Sequence, residues 1–185
     1  MTSKKHISVG KITALISFLI GILIFGMYFF TPKGELLLFG YGFVVLAGIV
    51  NSIILIAILI KSRSDKSNRE GLLKTVGLML LNLPIMFVCM WITMILIGTM
   101  RITFTNGTNN KLTDIKIIGC ETKHIAELEP NESKTVWIGI TGDCSIMVEY
   151  HKNRNLKSEM VAGYVTNGGG QKLNHIIDGK DKDVL

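Results

Sequence analysis

The sequence predicts a membrane protein with two parts, a three-helix transmembrane bundle followed by a small extracytoplasmic antiparallel β-sandwich. Residues 12–98 hold three long apolar runs, and none has a charged residue strictly between its ends. Residues 101–177 instead alternate apolar and polar side chains between turn signals, which is typical of short strands. Residues 1–99 carry nine Lys and Arg against three Asp and Glu, whereas residues 100–185 carry eleven of each. The formal net charge of +6 therefore belongs to the apolar part.

The three apolar runs predict helices at about residues 10–30, 35–61 and 74–99. Each is long enough to cross a hydrocarbon layer of about 30 Å, which takes roughly 20 helical residues. The first run follows a basic segment, as the apolar region of a signal peptide does. It is longer than the roughly 7–15 apolar residues of a signal peptide and ends without a small-x-small cleavage site. We therefore interpret it as a retained anchor.

The short loops predict the orientation of the bundle. The N-terminal segment carries three Lys, and the 61–74 segment carries five basic residues against Asp65 and Glu70. The 31–35 turn carries one charge of each sign. Basic loops stay in the cytoplasm, so three crossings place residues 100–178 outside it. We expect a multi-pass protein of a cell inner membrane, with a cytoplasmic N-terminus and a periplasmic or extracellular C-terminal domain.

Small and polar residues predict how the helices meet. Ser17 and Gly21 in the first helix, and Gly48 and Ser52 in the second, form small-xxx-small patterns at similar depth, which favour close backbone approach. Asn51 and Asn82 also lie at comparable depth, so we expect their amides to hydrogen-bond to each other as packing contacts. The alternative is a polar path through the bundle. Pro84 predicts a kink in the third helix or a freed carbonyl near residue 80.

The second part divides into seven predicted strands. Turn residues punctuate it at Asn106-Gly107, 130–133, 141–143, 152–155 and 167–170, where Gly and Asn tolerate positive φ and Pro fixes φ. Short strands at this spacing favour a β-sandwich over residues 100–178. The charged segment 179–185 is expected to be disordered. The predicted strands are 101–105, 112–118, 123–128, 134–140, 144–151, 156–165 and 171–177.

One local pattern has a family resemblance. The segment Leu128-Glu-Pro-Asn-Glu-Ser133, followed by the strand residues Val136-Trp-Ile138, resembles a hairpin that is common in extracytoplasmic immunoglobulin-like domains. The resemblance covers about ten residues. It implies an immunoglobulin-like architecture for the sandwich and names no ligand.

Cysteine positions predict one disulfide. Cys120 and Cys144 both lie beside turns of the predicted β-domain, and a domain of about 75 residues has a thin core that a covalent link would stabilise. In an oxidising compartment the two can pair; the alternative is two separate core residues. Cys89 lies inside the third helix and is interpreted as a packing residue.

Trp137 is the candidate partner-binding residue of the β-domain. Its neighbours Val136 and Ile138 occupy the opposite face of the strand, so Trp137 either packs into a second layer of core or stands exposed as an anchor for a partner.

No pattern in the chain indicates catalysis or a cofactor. His124, His151 and His175 could form a metal site with Glu149, which shares a strand face with His151, but no two of the three histidines lie at ligand-like spacing. We therefore expect scattered surface histidines and no metal site. The glycine run at 168–170 lacks the Gly-Lys-Ser/Thr ending of a phosphate loop. The neutral second part has no basic stripe, which argues against nucleic-acid binding.

The sequence therefore favours a non-enzymatic scaffold or accessory protein. Its expected partners are the lipid bilayer and another membrane or periplasmic protein, or further copies of itself. Two alternatives stay open: a small oligomeric transporter or channel that uses Asn51, Asn82 and Pro84, and an immunity protein against a membrane-directed toxin.

Overall fold

The computed structural model describes residues 2–152 and 155–179, and the chain divides into two compact units, Met1–Thr93 and Met94–Leu185. The first is helical and the second is built from strands. We call them the helical unit and the β-unit. Of the tail predicted to be disordered, residues 180–185 lie outside the described residues.

Three stretches of helix are long and apolar enough to cross a membrane. Their bounds are α1 (Ser3–Phe30), α2 (Gly34–Ser64) and a third stretch that comprises α3 (Arg69–Leu80) and α4 (Asn82–Ile97). This confirms the three predicted helices.

Two helices begin earlier than predicted. The first starts at Ser3 rather than near residue 10, and the third starts at Arg69 rather than near residue 74. The apolar runs mark the part of a helix that suits lipid, whereas a helix itself continues through polar residues. The additional turn of α3 contains an ion pair between residues four positions apart, in which Nζ of Lys74 lies 2.6 Å from Oε1 of Glu70.

The third stretch is interrupted at Leu81, between α3 and α4. Pro84 follows three residues later, and a proline supplies no N–H to the carbonyl four residues before it, here that of Leu80. The interruption therefore falls where the proline predicts it.

The helical unit has a small core and a largely apolar exterior. The core is formed by Ala14, Ile58, Leu72, Val76 and Met79, where α1, α2 and α3 meet. Large apolar side chains such as Leu23, Leu38 and Trp91 lie exposed elsewhere on the helices. An apolar exterior on helices of this length is typical of a surface solvated by lipid.

The β-unit holds seven strands within the described residues, and their bounds agree with the predicted strands to within two residues at every end. They are β1 (Thr99–Asn106), β2 (Leu112–Ile118), β3 (Lys123–Leu128), β4 (Ser133–Gly139), β5 (Cys144–Lys152), β6 (Asn155–Val165) and β7 (Lys172–Ile177).

The strands form two sheets, with strand orders β4-β1-β7 and β3-β2-β5-β6. The expectation of a wholly antiparallel domain is wrong for one pair, because β1 and β7 run parallel, with Ile102 opposite Leu173. Turn signals report only strands that follow each other along the chain, so they do not reveal how the first and last strands pair. This order also differs from the ABED and CFG sheets of constant-type immunoglobulin domains.

Both sheets contribute to one core. Every strand contributes buried residues to it, such as Ile117 of β2, and in β1, β5 and β7 alternate residues point inward, including Phe104 and Tyr150. The other alternate residues face outward, as expected for strands with a period of two.

Candidate functional site

Asn51 and Asn82, the two asparagines of the apolar helices, bind α1 rather than each other. The Nδ2 group of Asn51 donates to Oγ of Ser17 and to the carbonyl of Ala47, both at 2.8 Å. The Nδ2 group of Asn82 donates to the carbonyl of Ala14 at 2.9 Å. The expected Asn51–Asn82 hydrogen bond is therefore wrong. Each amide instead ties its own helix to α1, which favours packing over a polar path.

Of the small residues predicted to lie at helix contacts, Gly21 lies close to a neighbouring helix and Gly48 does not. A Cβ built on Gly21 would lie 3.5 Å from the ring of Phe43, whereas one on Gly48 would meet no atom within 4 Å. Gly48 and Ser52 instead line an open apolar groove with Leu83 of α4. The expected close approach at Gly48 and Ser52 is therefore not observed within the chain.

Among the glycines of the helical unit, the closest approach lies at Gly10, which was not predicted from the sequence. A Cβ on Gly10 would lie 2.5 Å from Cδ1 of Ile58 and 2.7 Å from Cγ2 of Thr75. The sequence does carry a signal for it, because Gly10 and Ala14 are themselves a small-xxx-small pair.

Gly10→Leu is expected to destabilise the helical unit by about 2 kcal/mol, because the added atoms overpack the junction of α1, α2 and α3. Gly48→Leu is the matched control, since its side chain would enter open space. The measurement is the melting temperature of each variant in detergent, monitored through the helical circular dichroism signal. Equal melting temperatures for the two variants would contradict the assignment of the tight contact to Gly10.

A disulfide joins Cys120 to Cys144 in the β-unit, as predicted. Cys120 follows β2 and Cys144 opens β5, its antiparallel neighbour, with a Cα–Cα distance of 5.4 Å. Gly119, just before the bridge, has φ +152, and a Cβ there would lie 2.1 Å from the carbonyl oxygen of Ser145. A glycine is thus required where the bridged chain segments touch. Cys89 is a free thiol.

Trp137 lies on the outer face of β4 and is 41% exposed. The guanidinium carbon of Arg101, its partner in the β1–β4 register, lies 5.6 Å from the ring centroid, a cation–π contact. The structure thus places Trp137 outside the core and supports the exposed interpretation of the two, with Arg101 against its ring.

The larger apolar surface of the β-unit lies on β5 and β6 and was not anticipated from the sequence. Leu156, Met160 and Tyr164 of β6 and Met147 of β5 are between 37% and 66% exposed. Met147 lies directly opposite Met160 in the strand register. We call these four residues the β6 face. Its signal in the sequence is the spacing of Leu156, Met160 and Tyr164 at every fourth residue, because even spacing along a strand favours one face.

Strand β6 is also the edge of its sheet. Its described neighbour on one side is β5, and the sheet order ends at β6 on the other. An edge strand of 11 residues exposes backbone N–H and C=O groups that can pair with a further strand. Apolar side chains and an open backbone edge therefore occur on the same element.

A partly buried polar network links the two sheets, with Tyr150 and His175 as its buried members. Glu159 of β6 accepts hydrogen bonds from the hydroxyl of Tyr150, from Nε2–H of His175 at 3.2 Å and from the backbone N–H of Asp178 at 3.1 Å. Asp178 in turn pairs with Lys152, and with Lys157 at 3.3 Å. The network links β5 and β6 of one sheet to β7 of the other.

This network shifts the pKa values of its members. Burial alone would raise the pKa of the Glu159 carboxyl, but hydrogen bonds from His175, Tyr150 and Asp178 outweigh it and lower the pKa. Burial, followed by the neighbouring Glu159 carboxylate, raises the pKa of Tyr150. Glu159 is thus held ionised and Tyr150 neutral, as a stable acceptor and donor.

The three outer histidines do not come together. His124 contacts Asp114 at 2.6 Å, His175 contacts Glu159, and His151 lies exposed on β5. Over residues 2–152 and 155–179 no group of three or more His, Cys, Asp or Glu residues is placed to hold a metal ion.

Comparisons of the chain with models of protein families, with curated proteins and with solved structures found no match. The surfaces of the molecule, above all the β6 face, are therefore what bears on its function.

Proposed function

We propose that this protein is an integral inner-membrane scaffold or accessory subunit that presents a periplasmic β-sandwich for protein–protein interaction. The three apolar helices support membrane anchoring. The two sheets around one core support a sandwich, and the Cys120–Cys144 bridge suits an oxidising compartment such as the periplasm. The resemblance to immunoglobulin-like domains extends to the two-layer architecture and does not include the strand order.

The observation that carries the proposal is the β6 face on an open sheet edge. A partner strand that adds to β6 gains main-chain hydrogen bonds, while its alternate side chains contact Met160 and Tyr164. Monomeric soluble domains usually protect long apolar edges with Lys, Pro or a covering segment. Lys157 is the one basic residue that β6 carries, and its Nζ lies 3.3 Å from Asp178.

The β6 face is tested by charge insertion. Met160→Glu is expected to weaken partner binding at least about tenfold, because a carboxylate would be desolvated at the centre of the contact. The side chain at position 160 is exposed in the free protein, so the Met160→Glu variant should keep the native fold. The measurement is the yield of cross-linked complex from intact cells that express the full chain.

Ala126→Glu is the matched control, since Ala126 is exposed on β3, the opposite edge of the same sheet. It should leave the yield unchanged. Equal loss in both variants, or no stable complex under gentle solubilisation, would contradict the proposal.

The periplasmic placement has a test of its own. After reduction, a membrane-impermeant maleimide should label Cys120 and Cys144 in outer-permeabilised cells of a Cys89→Ala background. Failure to label would contradict the periplasmic placement.

A further inference from the structure

One end of the helical unit carries a dense group of cations. Six basic residues lie within four positions of Ser3, Asp65 or Asn68: Lys4, Lys5, Lys61, Arg63, Lys66 and Arg69. We call these six residues the basic cluster. They come from three chain segments, which are the first turn of α1, the last turn of α2 with the residues after it, and the start of α3.

Hydrogen bonds and packing hold these segments together. The hydroxyl of Ser3 donates to Oδ2 of Asp65, and the backbone and side-chain N–H groups of Asn68 donate to the same carboxylate at 3.2 and 3.0 Å. Next to them, a Cβ on Gly71 would lie 3.0 Å from Cδ1 of Ile7, so α3 packs closely on α1. The cations are therefore fixed near one another by the fold and do not depend on a free loop.

The nearby carboxylates are already occupied. Hydrogen bonds from Ser3 and Asn68 lower the pKa of Asp65, with a smaller contribution from Lys61. Glu70 pairs with Lys74, which lies outside the basic cluster. Among the described residues, none of the six clustered cations has a carboxylate within ion-pair distance. The surface thus presents six cations against the single ionised carboxylate of Asp65, a net charge of about +5.

Apolar surface adjoins these charges. Ile12 of α1 and Leu59 and Ile60 of α2 lie exposed within about two turns of the cluster. A ligand that combines a negative headgroup with a hydrocarbon chain can contact both surfaces at once. A soluble phosphate would use only the charges.

From this arrangement we infer that the basic cluster binds the headgroups of anionic phospholipids in the leaflet that it faces. A basic residue near an anionic surface contributes attraction that adds over several residues and weakens with salt. The inference does not depend on which side of the membrane this end occupies, nor on the β6 face. Its failure would therefore leave the proposed function standing.

The test uses the full chain in detergent and native mass spectrometry of bound lipid. Phosphatidylglycerol is expected to bind at least about tenfold more tightly than phosphatidylcholine with the same acyl chains. The preference should fall as the NaCl concentration rises. Glycerol phosphate, which carries at least as much negative charge without the acyl chains, should not displace phosphatidylglycerol at equal concentration. If glycerol phosphate competes equally, the site takes soluble phosphates and the inference is wrong.

Two variants and a control assign the site. Lys61→Gln/Arg63→Gln/Lys66→Gln should remove most of the preference for phosphatidylglycerol, whereas Lys61→Arg/Lys66→Arg should retain it because the charges persist. Lys116→Gln/Lys134→Gln/Lys172→Gln removes three charges from the β-unit and should leave the preference intact. A preference that survives in the first variant, or is lost in the third, would overturn the inference.

Discussion

We expect the double variant Cys120→Ala/Cys144→Ala to lower the free energy of unfolding of the β-unit by about 3 kcal/mol. The bridge spans a sequence separation of 24 residues, and removing it restores conformational freedom mainly to the unfolded chain. The small core of this unit makes such a loss a large share of its stability, since domains of this size are marginal.

The measurement is denaturant unfolding of the full chain in detergent, monitored through the β-sheet contribution to the circular dichroism. Reduction of the native protein should reproduce the effect of the double variant. Cys89→Ala is the control, because Cys89 is a free thiol in α4 and lies outside the bridge. A double variant as stable as the oxidised native protein would show that the bridge contributes nothing.

The second large effect is expected at Glu159. Glu159→Gln should lower the free energy of unfolding by about 2 kcal/mol at neutral pH, since hydrogen bonds to charged groups contribute roughly that much. The donors around the carboxylate are Tyr150, His175 and the N–H of Asp178. The amide of Gln must direct its own NH₂ at one of them, so a buried donor loses its acceptor.

Glu159 also predicts how stability depends on pH. Because folding lowers its pKa from 4.5, its contribution is complete above about pH 4.5 and is lost as the pH falls through the folded-state pKa. Asp178 acts in the same direction, since Lys152 and then Lys157, against the effect of burial, lower its pKa from 3.8. The free energy of unfolding of the β-unit should therefore fall in acid.

Unfolding curves of the native chain and the Glu159→Gln variant at pH 7 and at acid pH test both statements. The difference between the two proteins should shrink as the pH falls below 4.5. Glu127→Gln removes the same charge but disturbs only an exposed ion pair with Lys111 at 2.7 Å, so it should cost less than about 0.5 kcal/mol. A pH-independent difference would show that Glu159 does not act through its ionised form.

The sequence predicts the elements of this protein well, because each element depends on local pattern. Apolar runs locate the helices, and turn residues separate the strands. The pairing of β1 with β7 is not local, so no turn signal reports it. The disulfide is a middle case: Cys120 and Cys144 could be named from their positions beside turns, but only the pairing of β2 with β5 brings them together.

Contacts inside the helical unit were the least predictable part. Every face of α1 and α2 is apolar, so periodicity does not show which face meets a neighbour. Asn51 and Asn82 were correctly recognised as polar contacts, yet their partners lie on α1. The β6 face was missed for a related reason, since apolar residues on both faces of β6 hide the alternation that separates inside from outside.

The parallel pairing of β1 and β7 also determines when the β-unit can be completed during synthesis. Strand β1 directly follows the last helix, yet its sheet, with the order β4-β1-β7, is complete only after β7, the last strand of the described residues, has been made. About 70 residues separate the two strands, and closing so long a loop has a corresponding entropic cost. A nascent chain that stops before β7 leaves one edge of β1 open to other chains. Completion of this sheet therefore depends on β7.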